Sequence, residues 1–522
     1  MKNLVFLINL KPSTHRTAEE SLGVQYLASI LENQGFTVSI LDNWLDSSMS
    51  NADVYKAIMK RKDEICFVGT SSYMLSNAPT IVLIKKLKKD KINILSGGYG
   101  PTFEPEIFFE AGADFVCIGE GEKTIIDVAD YFLGKLENKN EIKGIGFLEK
   151  GEPKYTAKQF QVPNLDEVQF PTRPFIELLK KRKSTFNVLT SRGCMGKCSF
   201  CSISAFGKKH YGKKWRGRSI PDIVNELNIL QAQGAITVKL VDDSFIENER
   251  DNHWCKDFAD ALEKEGLHFQ FRASIRADKV NMENMKHLKQ AGFFSFSCGI
   301  ENGSESALSR MGKLASLEDN FNALKCFREH SYYIQAGFVL FDNKTTLDEL
   351  KENYSFMSDN VDLVTKGIFS EMFAAEGTEF TNNLGDEKGN RFSSNRLYEI
   401  EDKNARKVYI YLKKYQSNHI EIYDKVIDPI SAPKAIELHR MKKYHELMMQ
   451  MKEVDLLFMQ DLIRHVECSG DLDALYDLYL QRYSAFFKRC TIKVDRFYQE
   501  DGLQYDADIN KFILLNSSQV VN

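Results

Sequence analysis

The sequence predicts an α/β protein in three parts. An N-terminal doubly wound parallel sheet occupies residues 1–135, a partial (β/α)6 barrel residues 186–385, and an α-helical domain residues 386–522, with a linker at 136–185. Three observations predict this. Short β-branched runs alternate with helical patterns of ten or more residues through the first part, which calls for parallel strands joined by crossover helices. The same alternation restarts after the turn-prone FPTRP at 170–174. Beyond 386 apolar residues recur at three and four, the helical period.

In the first part the strands read LVFLINL, TVSILD, EICFVGTS, INILSGG and FVCIGEG, with helices such as AEESLGVQYLASILENQG between them. Ligands of doubly wound sheets sit at the carboxyl ends of the strands. Those ends carry Thr70-Ser71-Ser72-Tyr73, Gly97-Gly98-Tyr99-Gly100 and Gly119-Glu120-Gly121-Glu122. Glycine there lets backbone approach a bulky ligand closely, and the hydroxyls offer hydrogen bonds. Glycines at strand ends also make ordinary tight turns.

In the second part FNVLTSRG leads into the cysteine loop. SIPDIVNELNILQAQG reads as a helix capped by Ser219 with Pro221 in its first turn. The strands ITVKLVDDSF, HFQFRASIRAD, FSFSCGIENGS, YYIQAGFVLF and VDLVTKGIF follow, each separated by a helical segment. Catalytic groups of such a barrel belong at the carboxyl ends of its strands. Asp242 and Asp243, Arg272 and Arg276, Glu301 and Gly337 lie at those ends. Arg276 and Asp278 are also spaced to pair with each other.

Cys194, Cys198 and Cys201 stand in SRGCMGKCSFC, a C-x3-C-x2-C spacing that puts three thiols on one short loop. A 4Fe–4S cluster held wholly by protein takes four thiolates, so three leave one iron open. Structural zinc sites show paired C-x2-C halves and a fourth ligand, and no second pair or C-x-H partner lies nearby. Phe200 adds an aromatic face. The following loop, FGKKHYGKKWRGR, interleaves cations with aromatics, which suits a grip on an anionic substrate or a solvated loop.

The cysteine triple with its aromatic resembles the radical S-adenosylmethionine (SAM) superfamily, in which the open iron chelates SAM. The order of elements before it, with a Gly-Gly turn and a Gly-Glu-Gly-Glu turn, is similar to the cobalamin-binding domain that precedes many such modules. The DDSF, RAD and GIENGS segments match the family's SAM-pocket segments, and the resemblance runs to about residue 385. It implies a 4Fe–4S cluster on Cys194, Cys198 and Cys201. It further implies SAM beside Phe200, Asp242 or Asp243, Arg272, Arg276, Glu301 and Gly337, and cobalamin at the strand ends named above. Two departures stand out: Tyr99-Gly100-Pro101 replaces the family's Pro-His after the Gly-Gly turn, and Phe341-Asp342-Asn343 replaces Gly-Phe-Pro-Gly-Glu. The D-x-H-x-x-G signature is missing, and His15 is a loop residue outside that pattern, so cobalamin is expected without protein-histidine ligation.

The resemblance implies methylation of an unactivated carbon of a small metabolite or peptide, in natural product biosynthesis, with flavodoxin or ferredoxin as external one-electron reductant. The rivals are a non-methylating radical reaction, a cobalamin-sensing regulatory protein and a methylthiotransferase. The last usually carries a second cluster, whereas Cys66 and Cys117 are isolated.

A net charge of −4 argues against a nucleic-acid partner over the surface as a whole. No run approaches the eighteen or so apolar residues of a membrane span, and Met1-Lys2 leads into a strand rather than a signal peptide. Ten cysteines over 522 residues are no disulfide framework, and a cluster needs reducing surroundings, so the cytoplasm is expected. The C-terminal helices are expected to close over the barrel mouth.

Overall fold

The structure, a computed structural model, describes residues 2–12, 20–182, 184–247, 249–384, 398–431, 438–506 and 511–514. His15 lies outside the described residues.

The N-terminal strands β1 (Leu4–Asn9), β2 (Thr37–Asp42), β3 (Ile65–Ser71), β4 (Ile94–Gly97) and β5 (Phe115–Cys117) pair in parallel in the order β2-β1-β3-β4-β5. β1 is buried on both faces because helices cover both sides. The helix Leu22–Asn33 packs Val24, Ala28 and Leu31 against one face, and Ile81, Ile84 and Leu87 of the helix Asn77–Lys89 cover the other.

The stretch 136–185 is not all linker. β6 (Ile145–Glu149) and β7 (Glu152–Tyr155) extend the sheet antiparallel beyond β5. Lys150 and Gly151 both adopt positive φ, 54° and 88°, as a tight two-residue hairpin turn of the primed kind requires. With only three buried residues in β6 the hairpin carries little apolar pattern, and its role is to cover the open edge of β5.

In the barrel, β8 (Phe186–Val188), β11 (Thr237–Leu240), β12 (Gln270–Arg276), β13 (Phe293–Glu301) and β14 (Tyr333–Phe338) form a parallel sheet in the order β14-β13-β12-β11-β8. Between β8 and β11 the chain forms a separate antiparallel pair, β9 (Ser191–Gly193) and β10 (Trp215–Gly217). The sixth expected strand, VDLVTKGIF, forms no ladder with β14 among the described residues and is joined to it by an isolated bridge from Val364 to Gln335. Gly367 turns the chain away at φ 71°. The Gln416 side chain then replaces a neighbouring strand: its Oε1 accepts from Ile368 and Phe369 N–H, and its Nε2 donates to Lys366 O.

Of the C-terminal helices, Lys403–Ser417 reaches the mouth side, where Tyr409 and Lys413 hold Glu371, while Ile420–Ser431, Met441–Glu467 and Leu472–Glu500 pack elsewhere. They bury Tyr423, Tyr444, Met448 and Val494 together with Phe294 and Val364, and Tyr333 packs against this cluster. Phe294 and Tyr333 lie at the amino ends of β13 and β14, away from the mouth. At the mouth stands the segment 371–384, where Gly377 meets the Phe103 ring, Tyr99 Oη donates to Glu376 O and Phe380 N donates to Ser199 O.

Candidate cofactor and active site

The N-terminal strand ends enclose a slot of about 160 Å³ lined by Gly69, Thr70, Ser71, Gly97, Gly98, Gly119, Gly121 and Glu122, with Leu7 and Cys117 at its floor. Gly98 sits at φ 98°, where a Cβ would stand 2.7 Å from Ser72 O. Thr70 and Ser96 hydroxyls pair at 2.9 Å. Five residues expected here lie outside the slot's lining: Glu120, which lines the neighbouring cavity instead, and Ser72, Tyr73, Tyr99 and Gly100. The Ser72 hydroxyl donates to Asn77 Oδ1 at 2.7 Å, and Gly100 packs on that same Asn77. Tyr99 packs among Met74, Ala375, Phe103 and Phe206, with Tyr73 beside it but largely exposed.

A second cavity, of about 570 Å³, lies between the sheet domain and the barrel and shares Gly23 and Glu122 with the slot. Its wall runs from Tyr26 and Glu120 past Arg192 to Gly193, Cys194 and Asp243. The two spaces therefore adjoin at Gly23 and Glu122, one reaching the glycine-lined strand ends and the other the first cysteine. Glycine backbone where a Cβ would intrude fits a bulky ligand.

The cysteine loop is anchored on both sides. Gly193, at φ 90°, lies so close to the Lys214 carbonyl that a Cβ would be 1.9 Å from its oxygen. Met195 N donates to Glu247 Oε1 at 3.1 Å, and Ser199 N to Met311 O at 2.9 Å. Gly196 N points at Cys194 Sγ, 3.3 Å away. Burial pushes the Cys194 thiol up to about 11 and raises those of Cys198 and Cys201. Among the described residues no three His, Cys, Asp or Glu side chains gather closely enough to hold a single metal ion. Three thiols on one loop, with an amide N–H on the first sulfur, are a donor set that fits a cluster with one iron left open.

Glu247 is the residue the sequence offered no signal for. Fully buried, it also takes the Arg276 guanidinium at 3.1 Å. Arg276 reaches Asp278 as well, so the pairing weighed from the sequence is present. Arg276 thus braces the cysteine loop through Glu247.

Asp242 and Asp243 part company. Asp242 accepts from Thr190 N, Thr190 Oγ1 and Ser191 Oγ and faces the buried Arg250 guanidinium at 3.3 Å, so it is consumed inside the core. Asp243 lines the cavity and accepts from Gly193 N at 2.9 Å, and burial pushes its carboxyl up to about 6. Arg272 points across the strands to Ser297 and Gln335. Glu301, at φ 65°, lays its carboxylate over Gly299 and Gly337, where Cβ atoms would stand 2.4 and 3.5 Å from its oxygens. Lys313 Nζ pairs with it at 3.0 Å. Phe200 packs beside Met311, Met372 and Phe380.

The basic loop after the cysteines divides by face. Trp215, Arg216 and Arg218 are buried and Lys208, Lys213 and Lys214 exposed. Arg218 is tied to Asp222 and Glu226, and Arg216 to Glu120, leaving neither arginine for an anion or nucleic acid. His210 stands on the cavity wall with its Nδ1 2.8 Å from Gln161 Nε2.

Residues 14–129 match the B12 binding domain family, and residues 188–357 the radical SAM superfamily. The chain is a radical SAM enzyme carrying a B12-binding domain. Together the two domains imply a 4Fe–4S cluster, SAM and cobalamin. This radical SAM enzyme is 27% identical over 368 residues to an uncharacterized methyltransferase of Pyrococcus horikoshii, covering 68% of this chain and 78% of that one. It is 29% identical over 299 residues to 4'-phospho-dehydrooxetanocin synthase of Priestia megaterium, covering 53% of this chain but 39% of the synthase. An anaerobic magnesium-protoporphyrin IX monomethyl ester cyclase of Rubrivivax gelatinosus is 25% identical over 400 residues, 70% of this chain and 69% of the cyclase. Its fold is that of the cobalamin-dependent SAM radical enzyme OxsB, solved with aqua-cobalamin and SAM bound, at a TM-score of 0.74 and 19% identity over 97% of this chain and 82% of OxsB. TsrM from Kitasatospora setae, a radical SAM methyltransferase, superposes with a TM-score of 0.58 at 16% identity, over 69% of this chain and 71% of TsrM. Among the described residues no helix is long and apolar enough to cross a membrane.

Proposed function

We propose that this enzyme methylates an unactivated carbon of a small metabolite or peptide. The observation that supports the reading is that the glycine slot adjoins the cavity reaching Cys194, which would set a methyl donor beside a radical source. When bound, the cluster and SAM supply a 5′-deoxyadenosyl radical that removes hydrogen from carbon, and cobalamin supplies the methyl group.

The chain's own part is holding and excluding. Cys194, Cys198 and Cys201 would hold the cluster, with Glu247 fixing the loop. Asp243, and Glu301 beside Gly337, would take the amine and ribose hydroxyls of SAM, with Phe200 as the aromatic next to the cysteine loop. Thr70, Ser71 and the glycines at 97, 98, 119 and 121 would cradle cobalamin. The segment 371–384 screens the mouth from water. An external one-electron reductant such as flavodoxin or ferredoxin supplies the electron. The similarity to a cyclase supports a second reading, a radical reaction without methyl transfer. Product mass and SAM stoichiometry distinguish them: methylation adds one methyl group and consumes two SAM per product, and a product of unchanged carbon count removes the first reading.

A further inference from the structure

The Gly119-Glu120-Gly121-Glu122 turn alternates in direction. Its glycines line the slot, Glu120 faces the cavity, and Glu122 stands at the border of both with its carboxylate turned to the barrel. Glu122 Oε1 is 2.6 Å from Arg192 Nη1. Glu120 takes the Arg216 guanidinium through both oxygens, with Arg192 3.7 Å from one of them. Arg192 and Arg216 are direct cross-strand partners on β9 and β10. Like charges so placed repel each other, and the two carboxylates between them remove that repulsion. All four side chains are only 4–16% exposed, and all four line the cavity. Gly193 and Cys194 follow Arg192 directly, and Gly193 N is held by Asp243. The turn that lines the slot is therefore bolted to the strand that delivers the first cluster cysteine.

We propose that Glu120, Glu122, Arg192 and Arg216 form a positioning clamp that fixes the cysteine loop at a set distance and orientation from whatever fills the slot. The inference rests on reading the slot and cavity as the cobalamin seat. In this role the two glutamates are not corrin ligands, and the alternation has a physical reason: glycine is needed where the cofactor approaches backbone, and a carboxylate where a buried guanidinium needs a partner. Buried pairs of this kind hold one geometry because either charge left alone in the cavity wall is strongly disfavoured.

The test is magnetic. The full chain is loaded with cluster and hydroxocobalamin, reduced to cob(II)alamin and the one-electron-reduced cluster, and the spin–spin coupling between the two centres is read by electron paramagnetic resonance. The wild type is expected to show one well-defined coupling. In Glu122→Gln the coupling falls at least twofold or spreads into a broad distribution, with iron content and corrin absorbance retained. The exchanged pair Glu122→Arg with Arg192→Glu regains a single defined coupling. A coupling unchanged in Glu122→Gln overturns the clamp. Should Glu122→Gln lose iron and corrin together, the exchanged pair decides: recovery of both centres with defined coupling supports the clamp, and a folded exchanged pair without it overturns the clamp. Wild-type protein that takes up iron but no corrin overturns the cobalamin seat itself, a failure distinct from the others.

Discussion

At the scale of single residues, chemistry separates side chains that sequence places together. Removing all three thiols by alanine at Cys194, Cys198 and Cys201 is expected to abolish iron uptake, checked by iron and sulfide content. The neighbouring carboxylates differ more sharply. Asp242→Ala leaves the Arg250 guanidinium buried beside no carboxylate, a loss of about 3–5 kcal/mol in stability measured by denaturant unfolding. Glu301→Ala is expected to weaken SAM binding by about 1–3 kcal/mol, the loss of a charge-assisted hydrogen bond, with cluster content unchanged. Asp243 adds a pH dependence. Its folded-state carboxyl sits near 6 because burial disfavours the anion, so it favours folding at acid pH. That contribution is fully present below the ordinary carboxylate value, about 3.9, and is lost as pH rises through about 6. Asp42 is raised into the same range by burial. The measurement is therefore the difference in unfolding free energy between wild type and Asp243→Asn across pH 4 to 7, which should fall as pH rises towards 6, the Asp42 contribution cancelling because both proteins carry it.

At the scale of elements, backbone geometry decides what a substitution tests. Gly98 has a conformation reserved for glycine, and its Cβ would strike Ser72 backbone. Gly98→Ala is thus expected to strain the turn by about 1–3 kcal/mol, read as a fall in stability before any effect on cofactor. Gly97 is the cleaner probe, since its φ is unremarkable and an added Cβ meets only Cys117 Cβ at 3.5 Å. A valine there projects into the slot. Corrin uptake from cobalamin-supplied cells should fall at least tenfold while secondary structure by circular dichroism is retained, about 1.4 kcal/mol or more of binding. The sixth barrel segment depends on one amide instead of a strand. Gln416→Ala leaves buried backbone groups at Lys366, Ile368 and Phe369 without their partner. The expected cost is about 1–3 kcal/mol, with faster hydrogen exchange confined to those amides.

At the scale of the whole molecule, the site is made by contacts between parts rather than within them. The barrel mouth, the N-terminal domain and the 371–384 segment meet at Gly377, where a Cβ would stand 1.9 Å from the Phe103 ring. Gly377→Val is expected to part the segment from the N-terminal domain. Limited proteolysis should then cut near that segment faster than in the wild type, with iron content preserved. The helices Ile420–Ser431, Met441–Glu467 and Leu472–Glu500 seal the amino-end side of the sheet through Phe294, Tyr333 and Val364. Variants on their outer faces should therefore alter stability without altering substrate choice.

The sequence by itself determined the parallel sheet, the barrel, the cysteine loop and both cofactor domains. Those rest on local signals: strand–helix alternation, glycine at strand ends and a fixed cysteine spacing. It did not separate Asp242 from Asp243, because adjacent residues at a strand end differ only in which way each side chain leaves the backbone. It gave no sign of Glu247, Lys313 or the Arg192–Arg216 pair, whose partners lie far away in the chain and carry no shared pattern. The β6–β7 hairpin was too short and too little buried to register, and Gln416 stood in for a strand that periodicity had predicted. The expectation that the helical domain closes over the mouth met only its first helix there, since an amphipathic helix states that it has a partner face but not which one. Only tertiary packing decided these, because burial and charge pairing are properties of neighbours brought together by folding, and the chain order does not record them.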